Sequence, residues 1–136
     1  MDSMWNWFIC FCYVHVTMRL LFVCVGNSCR SQMAEGIARN LGHDAMSAGT
    51  HPASEVSPNA LKVLESRGIG IEGLYPKPVD GIDWQSYDMV ISMGCGVSCP
   101  LIRIDQDWNL EDPVGQSIDV FEKCADKISE YIIKLG

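Results

Sequence analysis

The residues with the clearest capacity for chemistry are Cys24 and Arg30, which stand six positions apart, with Ser31 directly after the arginine. A turn between them can aim consecutive backbone N–H groups at one point, which creates a site for a tetrahedral oxyanion without a metal. The planar guanidinium of Arg30 can bond two oxygens of such an anion. The same surroundings favour a thiolate at Cys24, to which the Ser31 hydroxyl can donate. We therefore expect Cys24 to be a nucleophile in an oxyanion-binding loop made of Val25, Gly26, Asn27, Ser28, Cys29, Arg30 and Ser31.

Such a loop needs an ordered element on each side. The apolar run LLFVC at 20–24 predicts a buried strand. After the loop, Met33, Ile37 and Leu41 recur at helical spacing, and Gly42 follows where a helix commonly ends. The alternative for Cys24 is a small apolar residue at the end of a buried strand. The glycine, asparagine, arginine and serine beside it favour the oxyanion site.

Further apolar runs follow, separated by turn residues. Strands are expected at 44–48, 88–93 and 101–104, and helices are expected at 57–67 and from 117 onward. The last helix carries apolar residues at steps of three and four opposite a charged face. This alternation predicts a single α/β domain with a four-stranded parallel sheet flanked by helices on both faces. Ligands of such sheets bind at the carboxyl ends of the strands.

A second pair of cysteines, Cys95 and Cys99, follows the predicted third strand, and glycines bracket Cys95. Glycine lets this segment change its backbone shape at low cost. Residues four apart on a helix have Cβ atoms about 5–6 Å apart, whereas a disulfide needs about 3.5–4.5 Å. A disulfide here would therefore bend the segment, as a redox relay requires. The alternatives are inert core cysteines or a zinc site, although His43 and His51 offer no paired ligand pattern.

An acid must protonate the oxygen that Cys24 expels from a bound oxyanion, and a mobile loop above the site would carry it. Four carboxyl groups compete for this role by position alone, and each is equally compatible with an ordinary solvated loop. They are Asp105, Asp107, Glu111 and Asp112.

The run VCVGNSCRSQMAEG at 23–36 resembles the signature of the low-molecular-weight protein tyrosine phosphatase superfamily, which includes phosphatases and thiol-linked arsenate reductases. The resemblance implies a low-molecular-weight phosphatase-like domain with flavodoxin-like layering over residues 18–136. It also implies that Cys24 is the nucleophile and that Arg30 binds the oxyanion.

The resemblance extends to the other two candidate groups. Cys95 and Cys99 match the second and third catalytic cysteines of thioredoxin-coupled arsenate reductases, and Asp112 matches the general acid, which precedes a proline. In the phosphatases aromatic residues typically follow that proline. Here Val114 and Gly115 follow, which weakens a phosphotyrosine substrate.

A potassium site is a further implication of the resemblance. Some thioredoxin-coupled relatives bind potassium through residues that would match Asn27, Glu35 and Ser47. The additional acidic ligand of those relatives is not identifiable between Tyr75 and Asp80.

Composition limits the partners and the compartment. A net charge of −7 with no basic run argues against a nucleic-acid partner. Seven cysteines without a secretory signal indicate a reducing cytoplasm, where thiols serve reactivity more often than cross-linking.

The first seventeen residues form an apolar and aromatic extension that the resemblance does not cover. Its apolar part, 5–16, is too short to span a bilayer as a helix, so a membrane partner is not expected. Three interpretations stand: an additional strand or helix, an interfacial anchor, or upstream sequence joined by a misassigned start, with Met18 as the start.

These observations predict an arsenate reductase that uses a cysteine nucleophile and an intramolecular disulfide relay, with thioredoxin as external reductant and no tightly bound cofactor. The first alternative is a phosphatase for phosphotyrosine or small phosphoesters, which would use Cys24, Arg30 and Asp112 alone. The second is a redox-sensing or oxyanion-binding adaptor whose aromatic N-terminus docks a partner or a membrane.

Overall fold

The computed structural model describes residues 17–94 and 102–135. Cys95, Cys99 and residues 1–16 of the predicted N-terminal extension lie outside the described residues. In chain order the elements are β1 (Arg19–Cys24), α1 (Arg30–Asn40), β2 (Asp44–Gly49), α2 (Pro58–Ser66), a 3-10 turn (Trp84–Ser86), β3 (Met89–Ser92), β4 (Gln106–Asp107) and α3 (Ile118–Leu135).

The strands form one sheet in the order β2-β1-β3-β4, and every pairing is parallel. The register places Cys24 beside Gly49, and Ser92 beside both Val23 and Asp107. The carboxyl ends of β1, β2 and β3 therefore meet at one edge. The predicted α/β class and four-stranded parallel sheet are confirmed.

The fourth strand lies later in the chain than predicted. Apolar residues at 102 and 104 suggested a strand at 101–104, but pairing with β3 covers only Gln106 and Asp107. Asp105 joins the chain to β3 just before this pairing. Its N–H donates to the Val90 carbonyl at 2.8 Å, and its carboxylate accepts from the Val90 N–H at 2.7 Å. An edge strand this short has no apolar pattern that a sequence could show.

The two faces of the sheet are covered differently. Alternate residues of β1, namely Leu20, Phe22 and Cys24, belong to the main core, which α1, α2 and α3 all share. Leu21 and Val23 face the other side. There the cover is the segment from 79 to 87 together with Ile102, and its helical part is the 3-10 turn rather than an α-helix. Within 17–94 and 102–135, no helix is long and apolar enough to cross a bilayer.

Helix α2 begins as the sequence indicated, with Pro58 at its first position after Ser57. The Ser57 side chain makes no capping hydrogen bond. Its backbone N–H instead donates to the Ser28 carbonyl at 2.9 Å. The start of α2 is thus joined to the loop between β1 and α1.

Candidate active site

Cys24 ends β1 with its side chain buried, at 3 % exposure. The backbone N–H of Asn27 donates to Cys24 Sγ at 3.1 Å, and Ser31 Oγ lies 2.8 Å from the same sulfur. The loop that follows therefore closes around the thiol, and Ser31 reaches the thiol from the first turn of α1.

The carbonyl groups of the loop point outward and are all bonded. The carbonyls of residues 24, 25, 26 and 28 accept from backbone N–H groups between Thr50 and Ser57 at 2.8–3.2 Å, and that of Asn27 accepts from Gln32 Nε2 at 2.9 Å. No cis peptide occurs in the described residues. A trans peptide unit directs its N–H opposite to its carbonyl. The N–H groups of residues 25–29 are therefore turned to the inside of the loop, where they can hold an oxyanion.

Asn27 fixes the loop from within. It is fully buried and adopts a left-handed backbone with φ of +50°. The Lys77 backbone N–H donates to Asn27 Oδ1 at 2.9 Å, which settles the orientation of the amide. Nδ2 then donates to Ser31 Oγ at 2.8 Å and to Ser47 Oγ at 2.9 Å. Because Ser31 accepts from Asn27, its own hydroxyl hydrogen can serve Cys24.

Gly49, at the end of β2, packs closely against the loop. A Cβ at this position would lie 2.6 Å from the Val25 carbonyl oxygen and 2.9 Å from Asn27 Cβ. Any side chain here would push into the loop backbone. Gly49 and the segment 50–57 together shape the oxyanion site, and no sequence pattern indicated this role.

Arg30 is held in place by contacts with other protein groups. Its side chain is 4 % exposed, and its NH1 group donates to the carbonyls of Leu110 at 2.9 Å and Met93 at 3.3 Å. NH2 lies 3.8 Å from Asp112 Oδ2. The guanidinium therefore connects the loop to the ends of β3 and β4.

Gly94 lets these two strand ends approach each other. Its φ is +104°, and an added Cβ would lie 2.7 Å from Asn109 Cα. The backbone N–H of Leu110 donates to the Met93 carbonyl at 2.9 Å. Met93 and Gly94, the last described residues before residue 95, therefore lie beside Arg30.

Of the four competing carboxyl groups, the structure brings Asp112 to the loop. A cavity of about 330 Å³ is lined by all the residues from 24 to 30 together with Asp112 and Val114. The Asp112 side chain is 48 % exposed, and its Oδ1 accepts from the Val114 N–H at 3.1 Å.

The other three carboxyl groups are engaged elsewhere. Asp105 pairs with Arg103 at 2.8 Å. Asp107 accepts from the Asn109 N–H at 2.9 Å. Glu111 lines a separate cavity of about 370 Å³ beside α3. Of these four carboxyl groups, Asp112 is the one that lines the cavity with Cys24 and Arg30.

The buried cysteines Cys29 and Cys124 both belong to the main core. Burial raises the pKa of the Cys29 thiol, although hydrogen bonds from Ser28 and Ser57 oppose the shift. Burial also raises the pKa of the Cys124 thiol to about 11. Both thiols are thereby kept protonated, which suits packing better than nucleophilic attack.

The residues of the predicted potassium site do come together. Glu35 is fully buried, and the Ser47 hydroxyl donates to its Oε1 at 2.7 Å. Asn27 contacts Ser47 through Nδ2. Two cations face the carboxylate: Arg39 NH2 lies 2.6 Å from Oε2 and Lys77 Nζ lies 3.5 Å from Oε1. No pattern in the sequence indicated Lys77 as part of this site.

Comparison with known proteins gives consistent matches. A family model described as low molecular weight phosphotyrosine protein phosphatase matches residues 19–136. The chain is 41 % identical over 124 residues to a protein of Synechocystis sp. named glutaredoxin arsenate reductase, covering 86 % of this chain and 95 % of that protein.

Two solved structures are similar over most of the chain. One, described as an arsenate reductase in the phosphate binding state, has a TM-score of 0.80 at 40 % identity, covering 88 % of this chain and 96 % of that one. The other, a low molecular weight protein tyrosine phosphatase from T. tengcongensis, has a TM-score of 0.73 at 32 % identity, with 88 % and 97 % covered.

Proposed function

The chain belongs to the low molecular weight phosphotyrosine protein phosphatase family, and from that premise we propose that it is an arsenate reductase. The observation that carries the proposal is the oxyanion loop around Cys24, in a chain 41 % identical to a protein named as an arsenate reductase. Arsenate is a tetrahedral oxyanion of the kind that the inward N–H groups of residues 25–29 and the guanidinium of Arg30 can bind.

The first chemical step is attack by the Cys24 thiolate on arsenic. A sulfur–arsenic bond forms, and an arsenic–oxygen bond breaks. Asp112, on the wall of the same cavity, protonates the departing oxygen, which leaves as water. Ser31 and the Asn27 N–H hold the sulfur towards the loop centre, since both contact it.

The second step transfers two electrons to arsenic. Cys95 attacks Cys24 Sγ, a disulfide forms, and the electron pair of the sulfur–arsenic bond stays on arsenic, which leaves as arsenite. Support comes from the chain just before Cys95: the Met93 carbonyl accepts from Arg30 NH1 at 3.3 Å. Gly94, the last described residue before Cys95, follows Met93 directly.

In the third step Cys99 attacks Cys95, which frees Cys24 and leaves a Cys95–Cys99 disulfide. An external dithiol protein then reduces this disulfide. Thioredoxin is the reductant that the cysteine pattern favours, whereas the name of the Synechocystis relative favours glutaredoxin. Three reactive thiols suit a reducing compartment such as the cytoplasm.

The test is arsenate-dependent oxidation of NADPH by the full chain in two reconstituted systems. One contains thioredoxin and thioredoxin reductase, and the other contains glutaredoxin, glutathione and glutathione reductase. Cys24→Ser, Cys95→Ser and Cys99→Ser should each abolish multiple turnover, whereas Cys124→Ala, a buried cysteine outside the cavity, should retain it. Normal turnover by Cys99→Ser would overturn the relay.

A phosphatase is the second candidate, because Cys24, Arg30 and Asp112 line one cavity and could hydrolyse a phosphoester without further cysteines. The 32 % identity to a solved tyrosine phosphatase supports it. Phosphate release from a chromogenic phosphoester that survives both Cys95→Ser and Cys99→Ser, without arsenate-dependent NADPH oxidation, would establish this candidate.

A further inference from the structure

A carboxylate with no access to solvent lies behind the oxyanion loop. Glu35 on α1 is fully buried, and its two oxygens are shared among the Ser47 hydroxyl, the Arg39 guanidinium and the Lys77 ammonium. A buried carboxylate is very costly unless cations and hydrogen bonds compensate it. Ser47, Arg39 and Lys77 therefore compensate the cost of burying the Glu35 carboxylate.

Lys77 is fixed at both its backbone and its side chain. Its N–H donates to Asn27 Oδ1 at 2.9 Å, and its carbonyl accepts from the Gly49 N–H at 2.8 Å. Its ammonium donates to the Tyr75 carbonyl at 2.9 Å and lies 4.5 Å from the centre of the Tyr75 ring. Only 11 % of the side chain is exposed. A lysine is seldom held this firmly, because ordering its side chain costs conformational entropy.

The contacts of Lys77 bear directly on the potassium site expected at Asn27, Glu35 and Ser47. Potassium in proteins is held by oxygen atoms. Asn27 presents Nδ2 to Ser47, and its oxygen already accepts from the Lys77 N–H. The place beside Glu35 Oε1 that a cation would take is faced by the Lys77 ammonium. The residues present do not fit a potassium ion in addition.

We propose that the Lys77 ammonium is a built-in cation that replaces potassium beside Glu35 and positions Cys24 through Ser47, Asn27 and Ser31. Each link is a short contact: Glu35 to Ser47 at 2.7 Å, Ser47 to Asn27 at 2.9 Å, Asn27 to Ser31 at 2.8 Å and Ser31 to Cys24 at 2.8 Å. Lys77 is thus a positioning residue, and its effect on arsenate turnover rests on the proposed function.

The proposed role requires the Lys77 side chain to carry its positive charge although it is largely buried. The pKa of the Lys77 ammonium is lowered overall, because burial lowers it by more than the neighbouring carboxylate of Glu35 raises it. Removing the cation would leave Glu35 with Arg39, whose side chain is 38 % exposed, as its remaining charged partner among those described. The carboxylate could then relax towards Arg39 and release Ser47.

The experiment compares the full chain with Lys77→Met, Lys77→Arg and Lys62→Met. Met removes the charge at similar length, Arg restores it, and the exposed Lys62 on α2 controls for the loss of one positive charge. The first measurement is the rate at which iodoacetamide alkylates Cys24, followed on its peptide by mass spectrometry. It needs neither arsenate nor a reductant, so it stands apart from the proposed function.

We expect Lys77→Met to change the Cys24 alkylation rate by about fivefold or more, as usual for residues in one hydrogen-bond network, while Lys77→Arg and Lys62→Met stay near wild type. In the reductase assay Lys77→Met should lower kcat with little change in the KM for arsenate, because the N–H groups that bind the anion remain. Equal behaviour of Lys77→Met and Lys62→Met would overturn the proposal.

The second measurement uses the wild-type chain alone, so that a variant that fails to fold does not decide the result. Its Tm is recorded in KCl, in NaCl and in choline chloride at equal ionic strength. A chain whose cation is built in should show the same Tm in all three salts. A rise of about 2 °C or more in KCl alone would mean that potassium binds, and the proposal would then be wrong.

Discussion

Replacement of Asn27 by alanine tests the internal support of the oxyanion loop. The substitution removes three buried side-chain hydrogen bonds of 2.8–2.9 Å, to Ser31, Ser47 and the Lys77 N–H. At about 1 kcal/mol each they contribute about 3 kcal/mol. Alanine must also adopt the φ of +50° that asparagine tolerates, which adds about 1 kcal/mol. The expected loss of unfolding free energy is therefore about 4 kcal/mol.

Asn109 is a matched control for the backbone part of this loss. It has a similar φ of +47° but is exposed, and its bond to Asp107 is made by the backbone N–H, which alanine retains. Asn109→Ala should therefore cost only the strain of about 1 kcal/mol. The difference in unfolding free energy between the two variants therefore measures the contribution of the Asn27 side-chain hydrogen bonds.

The assay is urea unfolding at pH 7 followed by tryptophan fluorescence, with the Cys24 alkylation rate measured on the same samples. We expect the two variants to differ by about 3 kcal/mol, and only Asn27→Ala to change the reactivity of Cys24. If both variants lost the same unfolding free energy, the bonds of Asn27 would contribute nothing net and the reasoning would be refuted.

Three further predictions concern single side chains. Gly49→Ala should lower both Tm and arsenate turnover, because its Cβ would lie 2.6 Å from the Val25 carbonyl oxygen; a thermal scan with the NADPH assay checks both, and an unchanged Tm would contradict the close contact. Asp112→Asn should lower kcat by about 100-fold or more through loss of the acid, with Tm nearly unchanged since the residue is exposed; Glu111→Gln is the control, and an equal loss there would remove Asp112 from the mechanism. Burial raises the pKa of Cys124 to about 11, so its folded thiol binds its proton more tightly than the unfolded one and stability should fall as pH rises from about 9 towards 11; Cys124→Ala should reduce this alkaline loss in unfolding curves, and an identical pH slope in both proteins would disprove it.

Local pattern was sufficient for the parts of the site that are continuous in the chain. The strand, the loop and the helix from Leu20 to Asn40 follow one another, so apolar spacing and turn residues predicted all three. The prediction of Asp112 required the family resemblance, because four carboxyl groups lie close together in the sequence and no local pattern distinguishes them. The geometry later separated them by their contacts with Arg30, Arg103 and backbone N–H groups.

The supports of the loop could not be predicted in this way, since they come from distant parts of the chain. Lys77 contacts Asn27 across 50 positions, and Gly49 meets Val25 across the β1–β2 pair. No periodicity marks a backbone N–H that will bond a buried amide. The position of β4 was predicted wrongly for a similar reason. The contact that precedes its pairing with β3 is a hydrogen bond from the Val90 N–H to the Asp105 carboxylate, which no apolar pattern indicates.

The contacts around the loop indicate where stability and catalysis are coupled. Arg30 donates to two backbone carbonyls, the loop carbonyls accept from groups outside the loop, and the Asn27 amide is bonded through both its oxygen and its nitrogen, so protein groups hold all three. The cost of arranging these groups is therefore met when the chain folds, which is the condition for electrostatic preorganisation. Substitutions at Asn27 or Gly49 should consequently reduce stability and reactivity together. Asp112 stands outside this framework on the exposed side of the cavity, so its loss should affect the rate while leaving the fold intact.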